Sequence, residues 1–211
     1  MKVLLVNGSP HEKGCTYAAL AQVAKTLGEN GIDAEIFWIG IKPIAGCIAC
    51  KSCATTGRCV FDDRVNEFLD VAKDADGFIF GTPVHFAAAS GFIVSFMDRL
   101  FYADLQSNKQ SFYLKPAAAV ISARRAGTTN AFDQINKYFT ISEMPVISSR
   151  YWNMVYGATS EDVAKDLEGL QTMRVLAKNM AWFLKCKDAG KKAGVKFPEK
   201  EKSVYVNFIR E

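Results

Sequence analysis

The run Lys2-Val3-Leu4-Leu5-Val6-Asn7-Gly8-Ser9-Pro10-His11-Glu12-Lys13-Gly14-Cys15-Thr16 decides the reading of the fold. Its opening is a short, nearly continuous apolar run, as in a strand covered on both faces, and Gly8-Ser9-Pro10 stops it. Residues 16–27 then place Ala19, Leu20, Val23, Ala24 and Leu27 at helical spacing, so the unit reads strand, loop, helix.

The same alternation repeats downstream. A second strand is expected over 34–39, followed by a helix from near Asp62 marked by Val65, Phe68, Leu69 and Ala72. A third strand at 77–81 leads through Thr82-Pro83-Val84-His85-Phe86 to a helix over 90–102. Its apolar face of Ile93, Phe96, Met97, Leu100 and Phe101 suits a core or a dimer contact. Residues 116–122 read as a fourth strand, 128–139 as a helix, 145–149 as a fifth strand and 161–185 as a long final helix. Five such units predict an α/β protein, a doubly wound sheet of five parallel strands with helices on both faces. Residues 1–185 contain no linker or repeat and read as one domain with a Cys-rich loop at 43–61. Residues 186–211 read as a basic extension.

At 211 residues, 49% hydrophobic and 23% charged, the composition is that of an ordinary globular protein. The net charge of +4 resides in residues 185–202, where seven lysines face Asp188, Glu199 and Glu201, leaving the rest neutral. A nucleic-acid binder would spread basic residues over a folded face, so that class is disfavoured. No apolar stretch approaches the roughly 18 residues of a membrane span, and Met1 to Pro10 has only a four-residue apolar run. The expectation is a cytoplasmic, unprocessed protein without nucleic-acid or membrane partners.

Four of six cysteines, Cys47, Cys50, Cys53 and Cys59, fall in one polar segment, a clustering that points to metal or redox chemistry. Three thiols spaced by three residues let one loop take three corners of a cubane, and Cys59 can supply the fourth. A 4Fe-4S cluster leads, ahead of an empty thiol set, zinc and a disulfide. In a doubly wound sheet, ligands sit beyond the carboxyl ends of the strands, which directs attention to three loops. The first ends at a helix N-terminus, where backbone N–H groups and the hydroxyls of Ser9 and Thr16 would receive one terminal phosphate. It fits neither the dinucleotide glycine pattern nor the P-loop, which favours a mononucleotide. The second offers Pro83, Val84, His85 and Phe86 beside a planar ring, and the third, Ser122-Ala123-Arg124-Arg125-Ala126-Gly127, places two guanidiniums nearby.

Gly8-Ser9-Pro10 with Gly14-x-Thr16, the stretch Gly81-Thr82-Pro83-Val84-His85-Phe86, and Met97-Asp98-Arg99-Leu100-Phe101 resemble the NADPH-dependent FMN reductase group of flavodoxin-like proteins. The C-x2-C-x2-C-x5-C loop resembles its iron-sulfur flavoprotein branch, and the likeness extends to Asn207-Phe208-Ile209-Arg210. The resemblance implies strand order 2-1-3-4-5 and a homodimer or homotetramer. It also implies FMN with its phosphate near Ser9, His11, Cys15 and Thr16, and its ring between residues 83–86 and Ser122, Ala123, Arg124 and Gly127. His11 and Cys15 stand where members commonly carry Arg and Asn, with Lys13 available as a substitute, and His85 stands where Tyr is frequent. Three functions follow: an oxidoreductase moving electrons from NAD(P)H to a small acceptor, an electron carrier fed by ferredoxin, or an FMN-binding regulatory module.

Overall fold

A computed structural model describes residues 1–202 together with Val204, Val206 and Phe208. Asn207, Ile209 and Arg210 of the closing motif lie outside the described residues. Strands β1 (Lys2–Asn7), β2 (Asp33–Trp38), β3 (Gly77–His85), β4 (Ala88–Ala89), β5 (Ala117–Ala123) and β6 (Met154–Tyr156) form one sheet. The principal path runs β2-β1-β3-β5-β6, and β4 pairs only with β3. All pairings along that path are parallel. With the two-residue β4 set aside, this is the expected 2-1-3-4-5 order.

Alternation along β1 sorts the core. Leu4 and Val6 face one side with Phe68, Phe78, Phe80, Phe96 and Phe139, while Val3 and Leu5 face the other with Leu20, Val23, Ile79, Met173 and Met180. The first side is covered by α3 (Arg64–Ala72), α4 (Gly91–Ser107) and α5 (Thr128–Ile141), the second by α1 (Cys15–Glu29) and the terminal helix. A short helix, α2 (Cys53–Thr56), lies inside the Cys-rich loop.

Several expectations need correction. Residues 145–149 do not form the fifth strand: Val146 makes an isolated bridge to Ala117, and the edge strand is β6. The chain meets β5 at its start, leaves it where Ser149 Oγ donates to Tyr151 O, and returns at Asn153, whose carbonyl accepts from Ile121 N. The third strand does not stop at Gly81 but continues to His85 and turns back through a two-residue hairpin. The helix expected over 161–185 is two helices, α6 (Ser160–Val163) and α7 (Leu167–Lys192), because Asp166 breaks the run by capping Gly169 N and accepting from Tyr156 N. Since α7 runs to Lys192, the first part of the basic segment is helix continuous with the domain. Of the two roles open to the apolar face of Ile93, Phe96, Met97, Leu100 and Phe101, the structure takes the first: all five are buried in the chain's own core.

Candidate functional site

The loop after β1 is braced from four directions. Buried Asn7 donates through Nδ2 to Glu12 O (2.8 Å) and accepts at Oδ1 from Ser9 N (3.1 Å). Ser9 Oγ accepts from His11 N, and Trp38 Nε1 donates to Ser9 O at 2.8 Å. Gly8 N donates to Gly81 O, and any Cβ on Gly8 would stand 2.8 Å from that oxygen, so only glycine permits this approach. Helix α1 then starts with Gly14 at its N-cap and no side-chain cap, which leaves first-turn N–H groups and the positive helix end facing the loop. His11, Glu12 and Lys13 are exposed around it.

Thr16 is placed differently from the other members of this loop. Its side chain is buried, with Oγ1 2.8 Å from Ser122 Oγ, so a hydroxyl pair joins the first loop to the end of β5. Cys15 Sγ donates to Gly157 O at 3.5 Å, and burial, followed by the nearby Asp162 and Glu161 charges, pushes its thiol above the usual range.

The second and third loops are locked against each other. Phe86 and Ala87 both take positive φ (49° and 60°) at the hairpin tip, and the Phe86 ring stands fully in solvent. Two non-glycine residues in that conformation store strain, which is held by Asn130 Nδ2 donating to Ala87 O at 2.7 Å and Gln134 Oε1 accepting from Ala89 N. Gly127 adopts φ +90°, and a Cβ there would lie 2.5 Å from Ala87 Cα. Pro83 and Val84 are partly buried, His85 is exposed, Ser122 and Ala123 are buried, and Arg124 and Arg125 are exposed. The structure therefore brings all three expected loops to one edge of the sheet, with Ser9, Pro83, Val84, Ser122 and Gly127 at least partly buried and the side chains of His11, His85, Phe86 and Arg124 exposed.

The loop after β2 leaves the same edge but folds back along α4. Cys47, Cys50, Cys53 and Cys59 line one pocket with Phe61, Arg99 and Tyr102. All six cysteines are free. Arg99 and Ala103 lie nine and thirteen residues beyond Ser90, so at 1.5 Å per residue the pocket sits roughly 14 to 20 Å down the helix from the hairpin end. Among the described residues no three His, Cys, Asp or Glu side chains are grouped so as to hold a metal ion. Four thiols around one pocket are the number of sulfur donors that a cluster with one sulfur at each corner would need. Burial, then the neighbouring Cys50, Cys59 and Cys47 sulfurs, raise the Cys53 thiol, while hydrogen bonds from Ser52 lower that of Cys50.

Two residues around Cys59 are given no role by motif reasoning, although Arg99 stands within the quoted stretch Met97 to Phe101. Asn66 clamps the Cys59 backbone, accepting from its N–H and donating to its carbonyl, each at 2.9 Å. Arg99 is buried in α4, forks onto Asp63 at 2.7 and 2.9 Å, and donates from Nε to Cys59 Sγ at 3.1 Å. Desolvation alone would depress the guanidinium, but the bonds to Asp63 and Cys59 outweigh it and hold the charge. The available sequence signal is a charged residue three positions after Phe96 and four before Ala103, on the flank of a buried stripe.

The chain matches the family described as NADPH-dependent FMN reductase over residues 1–159. Similar proteins include an iron-sulfur flavoprotein of Methanocaldococcus jannaschii, 32% identical over 88% of this chain and 98% of that protein. Another is an iron-sulfur flavoprotein of Archaeoglobus fulgidus, 29% identical over 85% and 95%. Among solved structures, a flavodoxin from the domain Archaea superposes with a TM-score of 0.60 at 17% identity, covering 88% of this chain and 99% of that one, which identifies the fold as flavodoxin-like. Among the described residues no helix is long and apolar enough to cross a membrane.

Proposed function

The chain belongs to the NADPH-dependent FMN reductase family, and from that premise we propose that it is a cytoplasmic FMN-dependent oxidoreductase passing electrons from NAD(P)H to a small acceptor such as a quinone or flavin. The observation that carries this reading is the meeting of three braced loops around the N-terminus of α1, which no side chain caps. Bound FMN would supply hydride and single-electron chemistry, and a 4Fe-4S cluster on Cys47, Cys50, Cys53 and Cys59 would supply one-electron transfer.

The residues divide the work of binding. First-turn N–H groups of α1, with Ser9 and Thr16, receive the phosphate, and exposed Lys13, near His11, adds positive charge there. The rigid backbone at Pro83 and Val84 and at Ser122 and Ala123 sets the walls for the ring. Arg124 and Arg125 draw a phosphorylated nicotinamide donor to the crevice. His85 and Phe86 reach into solvent at the rim, where a second copy of the chain would cover them, and a homodimer or homotetramer is part of this proposal. Sedimentation at micromolar concentration should give a species heavier than the 23.3 kDa chain.

A second reading, an electron carrier fed by ferredoxin, is favoured by the four-thiol pocket and by relatives named as iron-sulfur flavoproteins. The deciding experiment compares anaerobic reduction of the as-isolated protein by NADPH and by reduced ferredoxin. Rapid bleaching of the flavin by NADPH supports the reductase, and bleaching by ferredoxin alone supports the carrier. Inertness to both would point to a regulatory FMN-binding module.

A further inference from the structure

We infer that Arg99 is the positioning residue of the cysteine pocket: it fixes Cys59 as a ligand, and its Nε–H on the Cys59 sulfur raises the reduction potential of the cluster held there. This rests on the proposal that the four cysteines hold such a cluster.

A guanidinium has five N–H groups, and here each meets an acceptor: Asp63 Oδ1 and Oδ2, Phe61 O at 3.2 Å, Ala45 O at 3.4 Å and Cys59 Sγ at 3.1 Å. Its centre also stacks 4.8 Å from the Phe61 ring. Four of these bonds explain a staple that pins the loop 45–63 to α4, because a buried charge must be paired and its donors satisfied. The fifth is different. A neutral thiol is a weak acceptor, whereas a metal-bound thiolate carries charge and accepts strongly. A charged donor aimed at sulfur therefore matches a ligated Cys59 better than a free one.

The surroundings of Cys59 point the same way. Asn66 holds its backbone on both sides, so this cysteine is fixed at N–H, carbonyl and sulfur. Cys47 and Cys50 are exposed on irregular chain, and Cys50 stands between Ala49 and Lys51 in positive-φ conformations. The loop thus has one pre-set corner to which the others can close. Hydrogen bonds to cluster sulfurs stabilise the more negative, reduced state and raise its potential. Asp63, partly exposed and forked onto the same guanidinium, offsets that effect.

The test uses full-length protein purified anaerobically, as wild type, Asp63→Asn and the double variant Arg99→Met with Asp63→Asn. Asn remains a good N-cap for α3, whose Val65 N bonds Asp63 Oδ1, and the double variant leaves no unpaired buried charge. Each protein is assayed for FMN, iron and acid-labile sulfide. The cluster midpoint is then measured by dithionite titration, each step adding one electron, and read by low-temperature electron paramagnetic resonance. The expected order is Asp63→Asn above wild type above the double variant. At fixed potential each step changes the reduced-to-oxidised ratio about tenfold, or about 59 mV for one electron. A purely structural role would not move the two variants in opposite directions. Equal midpoints, or Asp63→Asn at or below wild type, overturn the inference, and the single variant decides it if the double one loses iron. Wild-type protein lacking iron and sulfide would instead remove the cluster proposal beneath it.

Discussion

Replacing Gly127 by Ala should separate the two loops that wall the proposed flavin crevice. The residue sits at φ +90°, where a side chain costs roughly 1–2 kcal/mol. The new Cβ would also lie 2.5 Å from Ala87 Cα and 2.9 Å from Val84 Cγ1, a backbone overlap that side-chain rotation cannot relieve. Overpacking of that kind costs about 1–3 kcal/mol. Together these give about 2–5 kcal/mol, and at ~2–4 °C per kcal/mol for a chain of this size the melting temperature should fall about 4 to 20 °C. Because the strain is relieved by pushing the 84–89 hairpin away from residues 122–127, FMN affinity should drop at least about tenfold, or about 1.4 kcal/mol. Gly31→Ala provides the control, since Gly31 has φ +75° with open space around its would-be Cβ. It should show the conformational cost alone and normal flavin affinity. Thermal denaturation and flavin fluorescence titration measure both effects. If Gly127→Ala matched Gly31→Ala in both, the loop-locking argument would be refuted.

Thr16→Val leaves buried Ser122 without its hydroxyl partner and should cost about 1–3 kcal/mol of stability in urea titration. Its FMN affinity should fall by about 1.5–3 kcal/mol, and an unchanged affinity would confine the Thr16 hydroxyl to joining the loops. Cys53→Ala should lower iron content while FMN stays bound, as read by iron assay and flavin absorbance; loss of both together would contradict separate sites. The Cys15 thiol is raised above its usual 9.0, so its contribution to stability is fully present below that value and lost as pH climbs through the raised one. Wild type should therefore lose more stability than Cys15→Ala in urea titrations between neutral and alkaline pH, and identical slopes would be inconsistent with a buried thiol.

Continuous apolar strands such as Val3 to Val6 were legible because burial on both faces imposes them, and with them came the doubly wound sheet and its ligand-bearing edge. The edge strand was not, since Pro145 to Ser149 and Met154 to Tyr156 are both short segments with apolar residues. Only the backbone bonds of β5 select between them. Likewise Thr82 to His85 reads as a loop by its Thr-Pro start, yet pairing with β5 and β4 makes it strand. The cysteine spacing marked the pocket, whereas Arg99 stands 40 residues from Cys59 and only tertiary packing brings them together; Asn66, seven residues on, belongs to no motif that names its clamp. Thr16 shows the converse limit: a hydroxyl at a helix start suggests a phosphate contact, and its bond to Ser122, 106 residues away, carries no local signal.

The most direct test of the account is an absorption spectrum of the anaerobically purified protein, joined to counts of FMN, iron and acid-labile sulfide per chain. One FMN and four irons with four sulfides are expected, giving flavin bands over a broad iron-sulfur shoulder. Protein carrying neither flavin nor iron, and taking up neither on reconstitution, would contradict it.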